Sequence, residues 1–465
     1  MNTLIIGGFL AGMLYIGIRG FRKTHNISGF FVSNRNGNTL TITGSLLATT
    51  IGGSATLGIA GLGYSRGLTG AWWMLSGAAC LLVLSWWLAS RIRDYSVYTL
   101  PEVLEKQYGG RTIKLISSLL ISIAWLGVIS GQIIAAGHIL SALWPGHLTA
   151  LILISGGVFI LYTTLGGQYS ILRTDLFQAM IIIAGIIVCI AIGIPAAGGF
   201  DSITGSLPES HLSFPLSKDF GGYNLLMYFL FIGMAFLVGP DIYSRLFCAR
   251  SPETARRSTL ITALTMIPLA FLITGIGLLA RVLLPGIAAE NAFPSLIMSI
   301  VPNGLNGLVI AALLAAVMSS ADTCLLTTST IITADIINPL SGSHIPEKKL
   351  LFMSRIGIVI IGIISVGISL LMKNIISSLF LAYTVYSAGI VLPILFGFYS
   401  KKLNLTSTGA VAAVIAGGGL GLILKIMKMD SLLVYCFPVS AVALFAVSYY
   451  TNKRGNRRER RKTTA

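Results

Sequence analysis

Charge is what this chain has least of. Its 465 residues include 32 Lys or Arg and 15 Asp or Glu, so 10% are charged against 55% hydrophobic, and the mean hydropathy is +0.86. A soluble domain carries about 25% charged residues, so this composition excludes one and leaves a polytopic membrane protein. Cysteine is scarce too. Cys80, Cys189, Cys248, Cys324 and Cys436 lie in or beside apolar runs at scattered spacings, which excludes a disulfide framework or cysteine metal site and reads as packing. The few histidines and acids form no acid, base or metal cluster near an interface, so a membrane enzyme is not expected. Linkers, low-complexity tracts and a signalling domain are also lacking. The longest polar stretches are 198–222 and a basic tail at 451–465, and a single transmembrane domain is expected over 1–465.

Apolar runs fill the rest. Runs of about 17 to 25 residues match the bilayer core, and about thirteen of them lie between residues 3 and 450. The net charge of +17 does not point to nucleic acid, because the basic residues sit in alternate loops, as topology dictates. Arg19, Arg22, Lys23 and Arg35 follow the first span; Arg91, Arg93, Lys106, Arg111 and Lys114 the third; Arg245, Arg250, Arg256 and Arg257 the seventh. Lys348, Lys349, Lys401, Lys402 and the tail continue the same side. An odd number of spans then puts the N-terminus outside and the C-terminus in the cytoplasm, with the protein multi-pass in the cell (inner) membrane. The first span has no basic residue ahead of its apolar core, so it reads as a retained helix rather than a secretion signal.

Two spans are interrupted by glycine. The second contains Thr49-Thr50-Ile51-Gly52-Gly53-Ser54, and the seventh contains Gly233 and Gly239-Pro240. Interrupted helices in corresponding halves mark an inverted repeat whose binding site lies near the midplane; the alternative is that the glycines only permit close packing. A third signal lies in Ala311 to Thr327, where Ser319, Ser320, Asp322 and Thr323 interrupt an apolar run. A carboxylate at the centre of a span costs about 2.5 to 3.5 kcal/mol, so Asp322 is a functional candidate. Ala316, Ser319, Ser320 and Thr323 share one helical stripe. Hydroxyls and freed carbonyls are hard ligands that suit sodium, unless each hydroxyl merely bonds its own i−4 carbonyl.

These segments belong to a wider pattern: Phe30-Phe31-Val32-Ser33-Asn34-Arg35; Ser45 to Ser65; Tyr98-Thr99-Leu100-Pro101-Glu102; Gly166-Gly167 with Arg173-Thr174-Asp175-Leu176-Phe177-Gln178; Ala315 to Asp322; and Gly389 with Pro393 leading to Tyr399-Ser400-Lys401-Lys402. In order and spacing they resemble the sodium/solute symporter family over nearly the whole chain. The resemblance implies an all-α bundle like that of the bacterial leucine transporter, with two inverted five-helix repeats at about 40–197 and 221–399 and flanking helices outside. It implies a sodium ion on the carbonyls of Ala48, Ile51 and Ala316 and the hydroxyls of Ser319 and Ser320. Members that bind a second sodium use an aspartate at the position of Asp175 and hydroxyls one turn along the ninth span. Here that turn reads Asp322-Thr323, a departure that puts the second ion in question and suggests a different cation or a proton. Asp175 reads alternatively as a helix N-cap, favoured by about 0.3 to 1 kcal/mol. Asp241 and Arg245 read as inner-interface anchors, and His138 as a packed interior histidine.

The solute is expected beside the interrupted second span, where half-helix amides favour a carboxylate. Candidate contacts are Thr50, Gly52, Gly53, Ser54, Thr56, Trp72, Trp73, Gln132, Tyr383 and Tyr386, although aromatics also form interface belts. Set against the family's patterns, Ser54, Ala55 and Met74 disfavour a sugar, and those of the sialic acid and proline carriers are missing. A small carboxylate, amino acid or similar solute remains. The expected function is sodium-coupled import by alternating access, the alternative a proton-coupled carrier using Asp322 or Asp175.

Overall fold

In the computed structural model, residues 2–21, 26–341, 345–372 and 374–463 are described, without the side chains of 2, 3, 20, 21, 54 and 455–463. Arg22 and Lys23 lie outside the described residues. The described chain is almost wholly helical. Its principal helices are α1 (Asn2–Phe21), α2 (Thr39–Thr50), α3 (Ile59–Arg66), α4 (Trp72–Val83), α5 (Arg111–Ser141), α6 (Leu148–Ala196) and α7 (Met234–Val238). They continue with α8 (Pro240–Cys248), α9 (Pro252–Leu283), α10 (Leu305–Ile331), α11 (Glu347–Leu371), α12 (Ile375–Gly397), α13 (Ser407–Ile426) and α14 (Cys436–Thr463).

Side-chain caps start several of these helices where the chain leaves a loop. Asn38 accepts from the Thr41 amide at 2.9 Å, Ser251 from Thr254 at 3.1 Å and Asn374 from Ser377 at 2.9 Å, each satisfying an amide that has no partner within the helix.

Among the described residues, ten helices are long and apolar enough to cross a membrane, and Leu4–Arg19 is a shorter apolar helix. α6 has 49 residues, about 73 Å at 1.5 Å per residue, more than twice the roughly 30 Å core. It is broken at Gly167, with φ 58° and ψ −172°, where a Cβ would lie 2.5 Å from the Phe30 ring. One glycine therefore makes the turn inside α6.

α10 is the centre of the bundle. It packs against α1, α2, α5, α6, α8 and α11, and 94% of its most apolar window is buried, against 28% for α11. Polar groups on α10 therefore face protein, where a membrane-embedded carboxylate or hydroxyl is tolerated. Near one end of this helix, Lys114 lies 3.1 Å from Glu105, 3.2 Å from Asp335 and 3.7 Å from Glu102. That network ties the Leu100–Tyr108 helix to α5 and to the π-helical turn Ile332–Ile337 that continues α10.

Candidate ion and solute site

α2 stops because its ladder runs out. The Ile51 amide still donates to Leu47 at 2.9 Å, but Ile51 itself has φ −96° and ψ 37°. The chain restarts when the amides of Ala55 and Thr56 both donate to the Gly52 carbonyl, at 3.0 and 2.8 Å, leading through the π-helical turn Ser54–Gly58 into α3. Between the two halves, the Gly53 amide donates to Gln132 Oε1 at 2.8 Å instead of to a carbonyl one turn back.

Two carbonyls on the last turn of α2 are met by α10. Ser319 Oγ donates to the Ala48 carbonyl at 2.8 Å and lies 2.9 Å from the Ala316 carbonyl. Ser320 Oγ donates to the Thr49 carbonyl at 2.7 Å. Three of the five oxygens proposed from sequence are thus gathered at Ser319, and Ile51 stands at the break, fully buried. The i−4 habit is seen in Thr323, which donates to the Ser319 carbonyl at 2.7 Å; the two serines reach across to α2.

Glycine is required at this junction by space. A Cβ on Gly52 would lie 2.2 Å from Ser320 Oγ, and one on Gly53 2.6 Å from Ala135 Cβ. Overpacking of this kind costs about 1 to 3 kcal/mol, and each 1.4 kcal/mol is about tenfold in affinity. Gly52→Ala is expected to weaken sodium activation of uptake about tenfold or more, measured at matched amounts of protein in the membrane; an unchanged curve would show that the junction tolerates spreading.

One helical turn further along α10, Thr323 meets a buried arginine of α8. Arg245, fully buried, directs Nη2 to Asp175 Oδ2 at 3.1 Å and to Thr323 Oγ1, Nε to Ser45 Oγ at 3.0 Å and Nη1 to Ser244 Oγ at 3.2 Å. Ser45 Oγ donates to the same Asp175 oxygen. This corrects two expectations. Arg245 is not an interface anchor, because the last turn of α8 packs into the bundle. Asp175 is not an N-cap, because it lies eight residues beyond the Gly167 break and the dipole effect fades within the first turn. Asp322 faces α6, accepting from Thr163 Oγ1 at 2.8 Å. It therefore sits apart from the serine stripe.

A cavity of ≈ 20 Å³ adjoins the break in α2. Its polar lining is Thr49, Thr50, Gln132, Asp241, Ser320 and Tyr383. It has room for about one water, so the helices must separate for a solute to enter. Gly52 and Gly53 back onto Gln132 at this wall, and Thr56 Oγ1 returns to the Gly52 carbonyl at 3.0 Å.

The remaining sequence candidates lie elsewhere. The Ser54 side chain is outside the described residues. Trp73 packs edge-on to Tyr228 and lines a separate cavity of ≈ 710 Å³ with Phe380 and Lys425. Trp72 Nε1 donates to the Pro215 carbonyl at 2.8 Å, pinning the 198–222 loop. Tyr386 donates to the Val238 carbonyl at 2.5 Å and meets Trp125 edge-on, the ring centroids 4.7 Å apart. His138 pairs with Asn291 at 3.1 Å, half-buried.

The second interruption sits at Gly239, with φ −59° and ψ 132°, between α7 and α8. Gly233 is helical and instead permits close packing, since a Cβ there would lie 2.9 Å from the Ser76 carbonyl. Sequence reasoning missed Asp241 as a cavity group. Its signal was an acid in the first turn after Gly239-Pro240.

The model of the sodium:solute symporter family matches residues 30–417. The chain belongs to that family. It is a family of transporters, not of enzymes. The chain is 25% identical over 454 residues to the high-affinity proline transporter PutP of Bacillus subtilis, covering 94% of this chain and 95% of that one. Rat sodium/glucose cotransporter 2 is 24% identical over 419 residues, covering 79% of this chain. The matched region spans 62% of that relative's length. A Na+-coupled sialic acid symporter, solved in a substrate-bound outward-open state, superposes with a TM-score of 0.82 over 97% of this chain and 98% of that one, at 19% identity. At that identity the likeness is one of fold, and the all-α membrane fold expected from the sequence is the fold found.

Proposed function

We propose that this chain imports a small organic solute by sodium-coupled alternating access, with sodium held between the broken α2 and the middle of α10. The observation that carries this reading is the pair of serine hydroxyls seated at 2.8 and 2.7 Å on the Ala48 and Thr49 carbonyls. The carbonyls of Ala48, Ile51 and Ala316 with Ser319 and Ser320 offer hard oxygen ligands and no soft one, a donor set fit for sodium. Sodium there fixes the shape of the break. Because Thr49 and Ser320 also line the cavity, ion and solute favour the same conformation, and the coupling is reciprocal.

The second cation place is filled by the protein itself. Asp175 and Thr323 turn to the Arg245 guanidinium, so transport runs with one sodium per solute. The repeats run over about 40–197 and 221–399, which places the interruptions at 51–53 and Gly239 in their first helices. The loops rich in Lys and Arg lie in the cytoplasm with the C-terminus, and the N-terminus is outside.

Uptake of small carboxylates, amino acids and polyols into proteoliposomes tests this directly. Accumulation should follow an inward sodium gradient and fail with matched potassium or proton gradients. The membrane potential should add about 2.3 kcal/mol per charge per 100 mV. Accumulation driven by protons alone would transfer the coupling role to Asp322 or Asp175.

A further inference from the structure

Among the described residues that line the cavity beside the α2 break, Asp241 is the one with a charged side chain. It enters through the second break: Gly239 leaves the helical conformation, Pro240 opens α8, and Asp241 lies in the first turn. The amides at the start of a helix favour a carboxylate over its neutral acid. Arg245, the nearest cation in sequence, directs its donors to Ser45, Ser244, Asp175 and Thr323 and makes no ion pair with Asp241. Among the described residues, no Lys, Arg or His lines the cavity. The aromatic residues Phe236 and Tyr383 line it as well, and aromatic faces attract cations. Thr49, Thr50, Gln132 and Ser320 supply the rest of the polar lining.

We infer that the solute carries a cationic amine, as the ammonium of an amino acid or a related base, and that this group pairs with Asp241. The inference rests on the proposed site and narrows its solute. A solute that is only a carboxylate would bring a second negative charge beside Asp241 in a wall without a base. A membrane-embedded carboxylate is instead matched by a partner of opposite charge, and here the solute supplies it.

The test uses the full chain in detergent, following thermal stability with sodium titrated alone and then with matched probes. L-alanine and L-proline are set against lactate and tetrahydrofuran-2-carboxylate, and choline against myo-inositol. At least one probe that bears a cationic amine should stabilise the wild type in sodium while its counterpart without one does not. Asp241→Asn should weaken that probe about tenfold or more and leave the shift given by sodium alone unchanged. Asp241→Glu should recover part of the loss. If Asp241→Asn fails to fold, the contrast within each probe pair on the wild type decides. Equal stabilisation by the counterparts, or no stabilisation by any amine, overturns the inference. Loss of the sodium-only shift in Asp241→Asn also overturns it, by assigning Asp241 to an ion. A wild type that sodium alone does not stabilise would count against the sodium site instead, leaving the amine contrast to stand on its own.

Discussion

Ser319→Ala is expected to raise the sodium concentration for half-maximal uptake by about 10- to 100-fold. The hydroxyl it removes is the one that gathers the Ala48 and Ala316 carbonyls. An interaction between a polar group and a charge contributes about 1.5 to 3 kcal/mol, and 1.4 kcal/mol is about tenfold. Folding should suffer far less, because alanine is the better helix former and the lost volume is one oxygen. The sodium activation curve measures the first effect, and melting in sodium-free buffer measures the second. A curve that overlays the wild type would remove Ser319 from the ion site.

Arg245→Gln is expected to have the larger effect on the fold. It leaves Asp175, 1% exposed, without its cation, and breaking a buried pair from one side costs about 3 to 5 kcal/mol. Replacing both partners by apolar groups, Arg245→Met with Asp175→Leu, should restore much of the folded yield, since a matched apolar pair is often neutral or stabilising. What Arg245→Gln protein does fold offers Asp175, Ser45 and Thr323 to a free cation. Its sodium activation should become steeper than that of the wild type, whose Hill coefficient should stay at about one, because the coefficient is bounded by the number of sites. Wild-type activation with two-ion steepness would contradict the assignment of that place to arginine.

The break in α2 and the serine pair of α10, proposed to hold the ion between them, were legible because both are local signals. Adjacent glycines at 52 and 53 announce a break, and two serines beside each other in an apolar run announce oxygens with somewhere to go. Their meeting required only that two buried helices cross. Arg245 was not legible. It precedes Arg250, Arg256 and Arg257, so it reads as the first of a cytoplasmic cluster, while its burial depends on Asp175 and Thr323, 70 and 78 residues distant. The N-cap alternative for Asp175 fails for a related reason. A single glycine, Gly167, turns the chain without a polar loop, so the start of that half of α6 lies earlier than hydropathy places it. Trp73 and Tyr386 show the limit for aromatic residues, whose sequence signal is the same whether they line the central cavity, pack against it or face another.

Equilibrium binding of 22Na+ to the purified full chain in lipid nanodiscs tests the central claim most directly. One saturable sodium per chain is predicted, lost in Ser319→Ala with Ser320→Ala and retained in Thr323→Val. Sodium binding that survives the double substitution, or that disappears with Thr323 alone, would contradict a site between the broken α2 and the serine pair of α10.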